Sequence, residues 1–259
     1  MKQRNEIKDV KNVDLISFCI VDAQLKTISD DELDNILKTG KSLKGYDLRI
    51  NNLRHKDLSG FEFEKVIFPR DFEFKNYNFE KTKFVDVDFN SSKFDKCNFE
   101  SAAFERVACG GIFYACGSIF YDCNLKDSNW LCCNLKTADF KKSDLTMAYF
   151  DNSNLSEAFL GKTNMECVSF RNCIVEKAVF YKDDLTGSVI KNTSFKSSVF
   201  DNINYKDASF INVNVEDARF VKCDFSRVYS IDKDCNFEKA KIEGVKLVIN
   251  SEKDITVEK

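Results

Sequence analysis

One histidine, eleven cysteines and a glycine-rich stretch are the features of this 259-residue chain whose residue types could do chemistry. Zinc binding needs Cys and His at close, paired spacing, but no two cysteines stand at zinc-ribbon separation and His55 is the one imidazole available. With no histidine-containing triad, acid–base work would fall to carboxylates, lysines or thiols, and no motif nominates any of them. Gly110-Gly111 and Gly117 fit neither GxGxxG nor P-loop spacing, so a phosphate cradle is not expected. The sequence therefore predicts a non-enzymatic protein with no catalytic residue, no metal ligand and no cofactor.

What organises the chain is a period of five. From Phe120 to Phe225 every fifth residue is large and apolar, as in Phe140, Leu145, Phe150, Leu155 and Leu160. The residue two places earlier is usually small, as in Ala138, Ser143, Ala148, Ser153 and Ala158. Neither a helix at 3.6 nor a strand at 2 puts such a set on one face, whereas a coil turning a corner every five residues does.

Ala138-Asp139-Phe140-Lys141-Lys142, Ser143-Asp144-Leu145-Thr146-Met147 and Ser153-Asn154-Leu155-Ser156-Glu157 resemble the consensus of the pentapeptide-repeat family. The resemblance implies an all-β fold, a right-handed quadrilateral β-helix with four pentapeptides to a coil. It further implies that the large centre and its small companion both point inward. Cys97, Cys123, Cys133, Cys173, Cys223 and Cys235 then fall at the small inward position, where a thiol is a compact apolar filler. Cys133 and Cys173 would lie two coils apart, about 9–10 Å, beyond disulfide reach. Reduced packing cysteines are the expectation. Asp183 also takes the inward small position, so its carboxylate must be satisfied by corner amides or mark a local opening. His55 should point outward.

Residues 1–42 read as a short α/β N-terminal cap. Val13 to Val21 is apolar enough for a strand, and Ser29-Asp30-Asp31-Glu32 is a capping box opening a helix that Gly40 ends. A solenoid needs such a lid because its open end exposes both core and strand edges; a recruiting element is the other reading. The β-helix is expected over 43–247, starting at Leu43, with interruptions near 69–71, 105–119 and 226–236. At the first, Pro69 cannot donate to a ladder and belongs at a corner, edge or bulge. At the second, the glycines predict a protruding loop or bulge. Between Phe74 and Phe104 seven phenylalanines in register predict rings stacked along each interior face. Residues 248–259 form a C-terminal tail, and Val245 to Ile249 is β-branched and a poor start for the C-terminal helix by which relatives pair end to end.

Residues twenty apart should stack, which sorts the outward positions by face. The face of Leu125, Leu145, Met165, Leu185, Tyr205 and Phe225 is polar throughout. The face of Phe120, Phe140, Leu160, Phe180, Phe200 and Phe220 instead carries Ile119, Tyr121, Phe159, Val179, Tyr181, Val199 and Val221 at outward positions. A contiguous apolar stripe with a polar rim is a candidate partner surface; β-branched residues are also ordinary strand formers.

The 39 basic and 42 acidic residues leave a formal net charge of −3, which predicts a soluble surface and no direct nucleic-acid binding. No run approaches the roughly 18 apolar residues of a membrane span, and Met1 to Glu6 leads into no signal-peptide core. A cytoplasmic location is the default, although the address of a specialised secretion system leaves no mark of this kind. The function expected is a rigid protein–protein interaction scaffold, similar to pentapeptide segments of bacterial effectors, for a protein partner or a further copy of the chain. The resemblance offers an alternative, because quinolone-resistance and toxin-immunity relatives mimic duplex DNA and occupy DNA gyrase. That role needs a strongly negative side, yet between Phe120 and Arg227 there are 15 acidic against 14 basic residues.

Overall fold

A computed structural model describes residues 25–53, 57–69, 72–89, 92–105, 107 and 118–246. Five-residue units wind into a right-handed, four-sided parallel β-solenoid of about ten turns. On two opposite sides a unit supplies a three-residue strand whose middle side chain is buried while its neighbours face outward, as in Val179–Tyr181 and Ser209–Ile211. The alternation of Cβ direction along an extended backbone is the cause.

We number the faces by the unit of one central coil: Trp130 lies on the first, Leu135 on the second, Phe140 on the third and Leu145 on the fourth. The first is a ten-stranded parallel sheet from Ser42–Lys44 to Ser230–Ile231. The third runs as strands Glu73–Lys75, Lys93–Asp95 and Ile119–Tyr121, then through bridges at Asp139 to a five-stranded sheet from Phe159–Gly161 to Lys241–Glu243. The second and fourth are held by single parallel bridges, such as Asn134 to Asn154 and Asn124 to Asp144. Phe150 pairs with Phe170, and Phe170 with Ile190, so one coil takes the expected twenty residues.

The lumen is filled as the residue pattern requires. Phe74, Phe94, Phe120 and Phe140 stack up the third face with centroids 4.9, 5.0 and 5.0 Å apart. Trp130 stacks on Phe104 at 3.8 Å, and its indole N–H donates to Ser128 Oγ at 2.9 Å, so the one polar atom of the ring is satisfied. Ring spacing near 5 Å follows from strand spacing, because each ring rides on its own coil.

Corners are made without glycine in most units. The second residue after a centre takes left-handed backbone, including Lys142 at φ 62°, Lys177 at 56° and the β-branched Thr137 at 60°. Such a conformation costs a non-glycine residue roughly 1–2 kcal/mol, and the ladder imposes it by using the corner N–H, as where Thr137 N–H donates to Ser156 O at 2.9 Å. Thr137→Gly should therefore raise the unfolding free energy by about 1 kcal/mol, the strain relief outweighing the added freedom of the unfolded chain. Urea unfolding of both forms checks it, and a loss of stability would show that the corner carries no strain.

The interruptions shift the count without breaking the stack. Phe63 pairs with Phe84, one residue more than a coil, and Pro69 lies buried in that interval. Phe104 pairs with Trp130 and Phe94 with Phe120, a step of 26 residues against twenty. Six surplus residues thus fall within 105–119, most of which lies outside the described residues. In the last interruption Phe210 pairs with Ile231 and Phe220 with Ile242, and Phe237 enters the core through a short 3-10 turn, Phe237–Lys239.

Helix Asp30–Thr39 has the predicted capping box, with Ser29 and Glu32 bonding reciprocally, and it ends at Gly40. Its Leu33 is fully buried, and Ile36 and Leu37 pack on the core. Coiling begins before Leu43, where the sequence period starts: Lys26–Thr27 pairs with Tyr46–Asp47, and buried Ile28 stands one coil before Leu48. The helix therefore spans the third and fourth sides of this coil, between Ile28 on the second side and Leu43 on the first side of the next. Asn51 Nδ2 ties it down, donating to Ile28 O and Asp30 Oδ1, each at 2.9 Å. The strand expected at Val13–Val21, His55, and Leu247 with the tail lie outside the described residues.

Candidate functional site

On the third face the strand residues flanking each buried centre form two outward columns. One reads Ile119, Asp139, Phe159, Val179, Val199 and Arg219; the other reads Tyr121, Lys141, Gly161, Tyr181, Asp201 and Val221. All seven residues proposed for a partner surface, Ile119, Tyr121, Phe159, Val179, Tyr181, Val199 and Val221, stand there half-buried. They do not form one unbroken stripe. The coil of Asp139 and Lys141 separates Ile119 and Tyr121 from the upper patch, and Asp201 separates Tyr181 from Val221.

The upper patch has a detail that only packing reveals. A Cβ built on Gly161 would meet the Phe159 ring at 2.7 Å, so the ring lies across its own strand in the space of the missing side chain. Gly161 pairs with Tyr181 and Phe159 with Val179, which joins these residues into one apolar surface over two coils. Lys182 rims it, 5.0 Å from the Tyr181 ring centroid, and Lys142 lies the same distance from the Tyr121 centroid on the lower patch. Among the described residues the most exposed large apolar side chains, Ile50 at 80% and Tyr229 at 79%, lie elsewhere.

Asp183 is held by corner amides. Its Oδ1 accepts the Thr163 N–H at 2.7 Å and its Oδ2 the Tyr181 N–H at 2.8 Å. Burial pushes its carboxyl up to about 8, although those same N–H donors favour the ionised form. At the equivalent place in other coils a hydroxyl both accepts and donates: Ser143 Oγ takes the Cys123 N–H at 3.0 Å and gives to Phe120 O at 2.6 Å. Tyr205, a coil above, buries a hydroxyl with no hydrogen-bond partner.

The thiols behave as fillers. Cys97, Cys123, Cys133, Cys173, Cys223 and Cys235 are free, and the first five are buried. Burial pushes Cys133 and Cys173 up to about 12, which leaves no thiolate near neutrality. Cys97 and Cys123 are stacked on adjacent coils, a contact hidden in the sequence because 26 residues rather than twenty separate them. Their sulfurs are engaged with Phe74 O at 3.2 Å and Phe94 O at 3.4 Å. Among the described residues no group of three His, Cys, Asp or Glu is placed to hold a metal ion, and no helix is long and apolar enough to cross a membrane.

A family model described as pentapeptide repeats matches in eight copies over residues 73–107, 118–156, 143–187 and 190–227. No curated protein matches the chain. Among solved structures, HetL of the cyanobacterium Nostoc sp. strain PCC 7120, involved in heterocyst differentiation regulation, is 14% identical. The match covers 82% of this chain and 96% of that one at a TM-score of 0.33. QnrB1, a plasmid-mediated fluoroquinolone resistance protein, is 17% identical over 68% of this chain and 92% of its own, with a TM-score of 0.24. Rfr23 from the cyanobacterium Cyanothece 51142 is 17% identical over 50% and 87%, with a TM-score of 0.17.

Proposed function

This chain belongs to the pentapeptide-repeat family, and from that membership we propose that it acts as a rigid, non-enzymatic scaffold whose third face binds a protein partner. The observation that carries this reading is the joined surface of half-buried Phe159, Val179, Tyr181 and Val199 on the third face, with the Phe159 ring lying over the buried Gly161. Apolar side chains at outward positions contribute nothing to the lumen, so their area is available to another surface. The stacked coils hold that area flat and fixed, which lowers the ordering cost of association.

The test is the double variant Phe159→Lys and Tyr181→Lys. Both side chains lie outside the lumen, so the melting temperature should hold while capture of the native partner, or self-association, falls about tenfold or more. Unchanged capture and unchanged self-association at unchanged stability would reject the reading.

Mimicry of duplex DNA toward a topoisomerase is not favoured by the charge arrangement. On the fourth face Asp144, Asp184 and Asp224 alternate with Asn164 and Asn204, so carboxylates in that column recur about every 9.6 Å. Duplex DNA presents a charge per roughly 1.7 Å. Lysines 142, 162 and 182 stand at the corner between that face and the third.

A further inference from the structure

The corner that closes the third face carries Lys142, Lys162, Lys182 and Lys222, with Asn202 between the last two and Asp122 one coil before Lys142. All four lysines are exposed. Several lysines elsewhere find carboxylates: Lys44 reaches Glu64 at 2.8 Å, Lys196 reaches Glu216 at 2.9 Å and Lys126 reaches Asp144 at 3.2 Å. None of the four corner ammonium groups is in an ion pair among the described residues. Lys142 Nζ instead donates to Tyr121 Oη at 2.6 Å, and Lys182 lies over the Tyr181 ring. Like charges stacked in register repel, and Asp122 and Asp201 offset this only at Lys142 and Lys182, through space and without a direct contact.

Resting on the reading of the third face as a partner surface, we propose that this edge docks an acidic amphipathic helix of a partner protein. Its carboxylates would meet the lysine ladder and its adjoining apolar stripe would cover Phe159, Val179 and Tyr181. Spacing selects a helix. Coils recur about every 4.8 Å, and a helix lying along the rod returns a side chain to the same side every ~5.4 Å. An extended strand does so only every ~6.6 Å. From Lys142 to Lys222 the ladder spans about 19 Å, within which a helix slips by about half a coil, and flexible lysine stems absorb that. A nucleic acid would satisfy the ammonium groups but leave the apolar patch without a complement.

The experiment uses the full chain and a designed, fluorescently labelled helical peptide of about 18 residues, with a Glu stripe beside a Leu stripe. The same composition scrambled to destroy both stripes is the control, and a short DNA duplex is the competing polyanion. Binding of the striped peptide should exceed that of the scrambled one at least about tenfold, and should weaken about tenfold in the variant Lys162→Glu with Lys182→Glu. Raising salt from about 0.05 M to about 0.3 M should weaken it further. Absence of saturable binding to about 1 mM, equal binding of scrambled peptide or duplex, or indifference to charge reversal overturns the proposal. Thermal melts of each variant exclude unfolding as the cause. Failures remain separable: native capture lost in the Phe159 and Tyr181 variant but retained on charge reversal rejects the helix and keeps the third face, whereas capture indifferent to both variants rejects both.

Discussion

Replacing Phe120 with alanine will lower the unfolding free energy by about 3–5 kcal/mol, the range for truncating a buried phenylalanine to leave a cavity. Phe120 has no exposed surface and lies between Phe94 and Phe140, stacked on each at 5.0 Å. It also meets Phe99 and Trp130 edge to face at 6.0 and 5.6 Å. A solenoid cannot close such a hole by collapse, because each coil is pinned to two neighbours by backbone ladders. Trp130, the one tryptophan, borders the cavity and reports on it. Urea unfolding followed by its emission measures the loss; a change under about 1 kcal/mol would mean that the ring is not part of the packed lumen.

Asp183→Ser should make the protein more stable at alkaline pH and remove part of its pH dependence. An unfolded aspartate titrates near ~3.9, whereas the folded carboxyl is pushed up to about 8. Between those values the folded chain holds one proton that the unfolded chain has released. Stability contributed at this site therefore falls as pH rises from about 4 to about 8, by up to ~1.4 kcal/mol per unit, and levels off above. Below about pH 4 both states are protonated and nothing further changes. Serine does not ionise, and at the matching position in other coils it accepts one N–H and donates to one carbonyl, as Ser198 does with Ala178 N and Val175 O. The gain over the native chain should grow with pH and reach on the order of 3–5 kcal/mol near pH 9. Urea midpoints at about pH 5, 7 and 9 for both forms decide it. Parallel curves would place the folded carboxyl at its ordinary range, held ionised by the Thr163 and Tyr181 amides.

While the four sides followed from the resemblance to pentapeptide repeats, the amino-acid sequence by itself determined a coil that turns every five residues, the inward and outward sorting of the units from Phe120 to Phe225, the packing role of the cysteines and the capping box at Ser29. All of these are local: they depend on residue type within a five-residue window, and Cβ alternation converts that window into inside and outside. The tertiary structure decided what stands beside what. Cys97 came to lie under Cys123, and Phe104 under Trp130, because six surplus residues shift the count by an amount no local pattern encodes. Ile28 joined the stack ahead of the first regular repeat, since a helix replaced two sides of its coil. The third face was legible as apolar, with Asp139 and Asp201 at readable places in it, but the Phe159 ring over Gly161 and the contact of Lys142 with Tyr121 were not. The first is a side-chain conformation within one strand, and the second arises between coils about twenty residues apart, where backbone ladders fix the register and side chains then compete for the same space and charge.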